Sequence, residues 1–496
     1  MTAHKQVGGT QEVFIQVKAS TMAGTERAIS AIERAGGRVL HAFPPTILVA
    51  CLPAGQAAKL KGKAGISALD TRPIQTRRLP KGPLAMAVGA WNDHVGTERS
   101  LRDLASPEVG KAWDGQKTLL PPDPPADVLA KLRERDREVM PAGAATRGGP
   151  VMSIPVLTGR VAVGVVFVDS TVGAYAITDQ EKMKVVSETT EGLSMLSGFE
   201  PRANIQWFYD FKRPKIGLAA NQFTPANQNS WEDLWRNAGM GVLGYPANIN
   251  GMVAYINHIK AANAAQWAYA LFVTKYPKTW FAYYWGNHVV MDFGVDGWGI
   301  DNFSRVVAHE TGHVFGCPDE YGSSGCNCTS VFGRYQVANG NCENCNPASM
   351  PCLMKANTPA VCDYTRGHLG WNELAVQSKG TTILKGTWTF DFDTGKQGPP
   401  TGADIWWRQA TATVRFLTPQ SGAFLAHMGK PNFDAVSLQT LKAQPYTALP
   451  INGSASSANR LTPGTVIAIK TNAGRYAKML IKTYGYNLGI AWVTYK

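Results

Sequence analysis

The sequence predicts a multidomain protein of α+β class. Three observations carry this reading. The chain has 496 residues, room for two to four domains. Strand-like and helix-like stretches alternate through its first three quarters. From about residue 376 the pattern changes to short strand-like runs between Gly, Pro and Asn turns. Hydrophobic residues make up 44%, enough for sizeable cores, and charged residues only 17%. Fifty glycines and thirty prolines point to many turns.

Residues 11–75 read as a βαββαβ unit. "EVFIQVKA" is a strand, and "TERAISAIERAG" spaces Ala and Ile as a helix does before Gly36 and Gly37 stop it. "RVLHAF" and "TILVACL" are strands, "GQAAKLKGKAG" a second helix and "ISALDTRPI" a last strand. The order resembles the propeptide-inhibitor module of subtilisin-type proteases, a ferredoxin-like fold, over about one eighth of the chain. That resemblance implies a chaperone or inhibitor attached to an enzyme. Residues 81–155 hold the Pro/Gly-rich pieces "LLPPDPPADV" and "MPAGAATRGGPV" around a charged helix, "DVLAKLRERDREVM". They read as a linker or pro-region.

Residues 156–375 read as one α/β domain. "GRVAVGVVFVDS" is a strand. Thr178 and Glu181 form a capping box that opens a helix to about Leu196. "ANIQWFYDF" and "AQWAYALFVTKY" are further strands, separated by the helices "NSWEDLWRNAG" and "NINGMVAYINHIKAAN". "WFAYYW" and "HVVMDF" are shorter strands. Residues 376–496 carry "GTWTFDF", "DIWWRQAT", "ATVRFLT", "TVIAIKT", "RYAKMLIK" and "LGIAWVTY", the spacing of an all-β sandwich or barrel.

Net charge is +13, with 22 Lys/Arg against 14 Asp/Glu in residues 1–160. These charges are scattered rather than striped, so a solvated surface is expected and no nucleic acid partner. No apolar run reaches about 18 residues, so no membrane span is expected. The N-terminus has no apolar stretch of the secretory kind, so no signal segment is expected.

The informative stretch is "VVAHETGHVFGCPDEY", residues 306–321. A helix turns about 100° per residue, so His309 and His313 face one way and can meet one metal. Glu310 lies about 60° to one side of His313, near the metal without ligating it, where a general base for water is needed. Gly316 can take positive φ and stop the helix. The chain then doubles back, bringing Asp319 under the histidines as a third ligand; Asp oxygen binds zinc at about 2.0–2.2 Å. A register with Glu320 as ligand is the competing arrangement.

His309, Glu310, His313, Gly316 and Asp319 resemble the metzincin branch of zinc metalloproteases, HExxHxxGxxH with a Met-turn. The Asp third ligand is similar to snapalysin-type enzymes. The resemblance covers about 220 residues. It implies a metzincin-like catalytic domain, one catalytic Zn²⁺, and a Met-turn at Met354 with Met350 as a second candidate. It also implies an edge strand near "HVVMDF" that aligns a protein or peptide substrate. Ala356 stands where some metzincins place a tyrosine, so the resemblance leaves oxyanion stabilisation to Tyr321 or Tyr364.

Eight cysteines occur, seven of them within 317–362. Disulfides among Cys317, Cys326, Cys328, Cys342, Cys345, Cys352 and Cys362 are one reading; seven is odd, leaving one over. A second structural Zn²⁺ on Cys326, Cys328, Cys342 and Cys345 is the other. "NGNCEN" can offer oxygens to Ca²⁺. Disulfides favour a secreted or extracytoplasmic setting, against the missing signal segment. His368 reads as a structural histidine. Cys51, in an apolar strand, reads as an inert thiol rather than a latency switch. Two function classes follow. One is a zinc endopeptidase made as a latent precursor. The other is a non-catalytic binding or adhesion protein with a structural metal and a ligand-binding β-sandwich. Oligomeric state is not legible.

Overall fold

The computed structural model describes residues 10–75, 83–96, 109–113 and 155–496, apart from 279, 296–297, 347–348, 399–401, 432, 434–435 and 437. The charged helix expected over 127–140 lies outside the described residues. The fold is mixed α/β and divides into two compact units, residues 1–327 with 341–361, and 328–340 with 362–496. The cysteine-rich stretch is thus shared between them.

The first unit opens with β1 (Thr10–Val17), α1 (Met22–Arg34), β2 (Arg38–Phe43), β3 (Ile47–Pro53), α2 (Gln56–Leu60) and β4 (Ile66–Asp70). Its strands run antiparallel in the order β4-β1-β3-β2. Alternation of Val13, Ile15 and Val17 turns one face inward, where Ala28, Ile29 and Ile32 of α1 meet it. Gly37 is required after α1, because a Cβ there would come 2.4 Å from Leu52.

Residues 83–95, expected as linker, form a helix, α3 (Pro83–Val95). Met86, Ala87, Ala90 and Trp91 are its buried side. Then follow β5 (Arg160–Ser170), α4 (Asp179–Gly198), β6 (Gln206–Lys212), β7 (Lys215–Ile216), α5 (Trp231–Val242) and α6 (Ile249–Ala262). After them come β8 (Trp267–Thr274), β9 (Ala282–Trp285), β10 (His288–Asp292) and α7 (Phe303–Val314). The Thr178–Glu181 capping box is formed, with Glu181 N–H donating to Thr178 Oγ1 and Thr178 N–H to Glu181.

Strands β6, β5, β8 and β10 run parallel, and β9 closes the sheet antiparallel to β10. The run Val161–Val168 in β5 is buried almost throughout, as a parallel strand covered on both faces must be. Trp235 of α5 and Tyr255 and Ile259 of α6 cover one side. On α4, a Cβ at Gly192 would stand 2.0 Å from the Ser304 carbonyl, so only glycine lets α4 and α7 approach so closely.

Strand β2 pairs in parallel with β6, His41 beside Trp207 and Ala42 beside Phe208. The N-terminal strands therefore continue the sheet of the region that follows, ten strands in all among the described residues. Phe208 belongs to the N-terminal hydrophobic core.

The second unit contains β11 (Val331–Phe332), β12 (Val337–Ala338), α8 (Asp363–His368), β13 (Val376–Leu384), β14 (Thr389–Asp391), β15 (Lys396–Gly398) and β16 (Ile405–Gln409). It continues with β17 (Arg415–Pro419), β18 (Phe424–His427), α9 (Leu438–Lys442), β19 (Ile451–Asn452), β20 (Val466–Lys470), β21 (Tyr476–Thr483) and β22 (Leu488–Tyr495). Two five-stranded antiparallel sheets form, β13-β22-β21-β20-β18 and β15-β14-β16-β17-β19. Leu384, Ile467 and Ile490 of one share a core with Phe390, Trp407 and Leu417 of the other. The six strand-like stretches read from sequence all fall on strands of these sheets.

Candidate metal centre

Helix α7 is nearly all buried, so its polar residues are there for a reason other than solvation. His309 and His313 sit one turn apart, with Nε2 atoms 3.1 Å from each other. The helix ends in a Schellman motif. Gly316, at φ +86°, donates to the His313 carbonyl, and Cys317 N–H to that of Gly312, both at 3.0 Å. The reversed chain places Asp319 Oδ1 3.2 Å from Nε2 of both histidines.

Each imidazole is oriented from behind. His309 Nδ1–H donates to the Leu353 carbonyl at 3.0 Å and His313 Nδ1–H to that of Cys317 at 2.8 Å. With the proton on Nδ1, a neutral ring keeps its Nε2 lone pair for a cation shared with Asp319. Two ligand atoms about 2.0–2.2 Å from a tetrahedral ion stand roughly 3.3–3.6 Å apart. The observed 3.1–3.2 Å triangle is that face, contracted by a few tenths. Two imidazoles and a carboxylate are a donor set that suits zinc. Glu310 Oε2 is buried without a hydrogen bond, a cost of desolvation that a nearby reactant or ion would relieve. The residues present fit the metal.

The carboxylates draw positive charge, a proton or a cation, to the imidazoles. Burial pushes the His313 imidazolium down, but Asp319, Glu310 and the Cys317 carbonyl outweigh it and raise its pKa to about 9. Burial pushes Asp319 up, and the two imidazoles hold it well below the usual carboxylate range. Burial raises Glu310, the histidines lower it and Asp319 raises it again; the net shift is upward.

Glu320 is turned elsewhere. Its Oε2 accepts from Asn341 Nδ2 at 2.6 Å, and its N–H donates to the Met354 carbonyl at 2.9 Å. The geometry brings Asp319, not Glu320, to the imidazoles. Met354 is buried, and its Sδ lies against α7 at Gly312. Met350 N–H instead donates to Asn341 Oδ1 at 2.6 Å.

Two tyrosines were expected near the site. Tyr321 leads into the short turn Gly322–Ser324, its carbonyl accepting from Ser324 Oγ at 2.6 Å. Tyr364 belongs to the second unit, where its ring lies over Gly340. A tyrosine outside the motif, Tyr284 of β9, stacks on His313 with ring centroids 6.3 Å apart. Strand β9 ends the sheet, paired with "HVVMDF" in β10, so the edge strand lies next to that stretch. Trp113, from the stretch read as linker, packs on His309 at 5.1 Å. Neither residue lies in the motif, so spacing could not reveal it.

Cys326 and Cys342 form a disulfide, and Cys328 and Cys345 are also disulfide-bonded. All four cysteines of the suggested structural zinc site are therefore in disulfides. Cys317, Cys352 and Cys362 are buried thiols. Burial pushes the Cys317 thiol up, as do Cys352 and Glu320. Asn341 of "NGNCEN" uses its amide on Glu320 and Met350. In the second unit Asp391, Asp393 and Asp404 converge as another group able to hold a cation. Asp393 is paired with Arg475 at 3.3 Å, and Asp404 accepts two backbone N–H groups at 2.8 Å. His368 is buried, its Nε2 3.1 Å from the Val337 carbonyl, and burial lowers its pKa to about 4. Burial pushes the Cys51 thiol up to about 11, the opposite of an activated thiolate.

No helix among the described residues is long and apolar enough to cross a membrane. The chain matches no protein-family profile and no curated protein.

Proposed function

We propose that the chain is a zinc-dependent endopeptidase of metzincin-like design, with His309, His313 and Asp319 as ligands and Glu310 as general base. The observation that carries this is the convergence of three donor atoms within 3.2 Å beside the buried Glu310, whose Oε2 has no hydrogen bond within the protein. Bound zinc supplies Lewis acidity that polarises a carbonyl and acidifies water. The rest is the work of the chain. The Leu353 and Cys317 carbonyls keep both Nδ1 atoms protonated and the ligand atoms aimed. Glu310, raised by burial, takes the proton of the attacking water and delivers it to the leaving amine. The outer edge of β9, beside His313 through Tyr284, offers main-chain groups to an extended peptide.

The ferredoxin-like reading of residues 10–70 is supported by the β4-β1-β3-β2 order. The disulfides fit an oxidising compartment. The deciding experiment compares casein cleavage by wild type, Glu310→Gln and His313→Ala, with and without a zinc chelator. Chelator-sensitive cleavage lost in both variants supports the endopeptidase. Tight zinc with no turnover in the wild type makes the centre structural and the protein a binder.

A further inference from the structure

The stretch between the N-terminal strands and β5 touches the metal centre through Val109–Trp113. It lies antiparallel beside the turn that carries Met354. Gly110 N–H donates to the Asn357 carbonyl at 2.7 Å, Asn357 N–H donates to that of Lys111 at 2.9 Å, and Ala112 bridges Ala356. Asn357 is in turn held by the ligand helix and its cap: Arg305 donates to its Oδ1 at 3.2 Å, and its Nδ2 donates to Asn302 at 3.0 Å.

Trp113, at the end of this strap, is 8% exposed. Its Nε1–H donates to the Leu353 carbonyl at 2.6 Å. That is the same oxygen that accepts from His309 Nδ1 at 3.0 Å. The indole also packs on the His309 ring, centroids 5.1 Å apart, and on Trp298 at 5.0 Å. An indole N–H is a donor with no acceptor role, so it can only pull on the carbonyl, never compete with it. A carbonyl has two lone pairs. Here one holds the imidazole and the other is fixed by the indole.

We propose that Trp113 is a positioning residue for the ligand His309: by fixing the Leu353 carbonyl and the imidazole plane, it sets where Nε2 points. This rests on the metal-centre reading above. Partners bonded directly to a ligand histidine are worth about tenfold to a hundredfold in metal affinity, and Trp113 acts one bond further out, through the Leu353 carbonyl. A bulky residue that merely fills space would not show that dependence on one N–H.

The test measures zinc affinity of the full-length protein by competition with a chromogenic chelator, alongside unfolding of the metal-free protein. Trp113→Phe keeps an aromatic ring and removes the donor. Site-specific replacement of Trp113 by 3-benzothienylalanine keeps the shape and removes only the N–H, and it carries the test if the Phe variant folds poorly. The expected result is a zinc Kd weakened about threefold to tenfold in the isostere, less than for a directly bonded partner, and at least as much in Trp113→Phe, with the metal-free unfolding midpoint of the isostere unchanged. Zinc affinity within about twofold of wild type in the isostere overturns the proposal. If the wild type binds no zinc, the metal-centre reading fails and takes this inference with it. Zinc binding abolished by His309→Ala but untouched by the isostere overturns this inference alone.

Discussion

Met354 Sδ occupies the space a side chain on Gly312 would need: a Cβ there would come 2.7 Å from the sulfur. Gly312 sits just before His313, so the contact sets helix α7 on a sulfur floor. Gly312→Ala is expected to destabilise the protein by about 1–3 kcal/mol through overpacking, exceeding the roughly 1 kcal/mol that Ala gains in a helix. Urea unfolding in the presence of chelator measures it. An unchanged midpoint would mean that Met354 moves aside freely.

Glu310→Gln should keep the zinc and lower kcat by about 10²–10⁴, the range for loss of a general acid–base. Zinc content by elemental analysis and turnover of a peptide are measured on one sample. A variant that cleaves as fast as the wild type removes Glu310 from the mechanism.

Asp319→Ala should weaken zinc binding by more than about a hundredfold, beyond the effect of losing an orienting partner. Asp319→His should retain the metal, since nitrogen and oxygen donors bind at nearly equal distances, about 2.0–2.2 Å. Glu320→Gln should leave zinc affinity within about twofold of wild type, because the Glu320 carboxylate faces Asn341. Loss of zinc in Glu320→Gln would reopen the ligand register.

His94 on α3 stands between Glu12 of β1 and Glu191 of α4, 3.1 Å from the latter. Burial lowers its pKa, but the two carboxylates outweigh it and raise it to about 10 from 6.5. Burial raises Glu12, and His94 lowers it further, for a net fall from 4.5. His41 nearby is driven to about 3 by burial and stays neutral over the range concerned. The raised His94 contributes stability fully below pH 6.5 and loses it as pH rises through about 10. The depressed Glu12 contributes above pH 4.5 and loses it as pH falls below. The melting-temperature gap between wild type and His94→Gln should therefore be largest between pH 4.5 and 6.5 and close toward pH 10. A gap that widens on alkalinisation contradicts the assignment.

A protein starting at residue 156 lacks β2, and with it the partner of Trp207 and Phe208 in β6. It is expected to fold in low yield, with its yield restored when residues 1–155 are supplied separately. Full yield together with higher activity would favour a removable inhibitory segment.

Much of this was legible in the sequence because it rests on local rules. Helix period placed His309 and His313 on one face, and Gly316 marked the reversal that delivers Asp319. The Thr178–Glu181 box and the alternating strands were equally local. What escaped depends on contacts far apart in sequence. Trp113 meets Leu353 across 240 positions. Tyr284, on the edge strand β9, reaches His313 across 29 positions. The parallel pairing of β2 with β6 has no signature in either strand alone. Helix α3 was hidden because its run of small apolar residues follows a Pro/Gly-rich approach.

Strand β9 is only four residues long. In an antiparallel ladder alternate residues point their N–H and C=O groups outward, so on the proposed reading this border would hold a guest chain at about two positions. Recognition by backbone alone would then be short-ranged and tolerant of side chains. Selectivity would have to come from pockets around the two grips, and replacing Tyr284, stacked on His313, would change which residues are accepted more than how tightly any chain is held; Tyr283 points to the other face, its hydroxyl on Glu232.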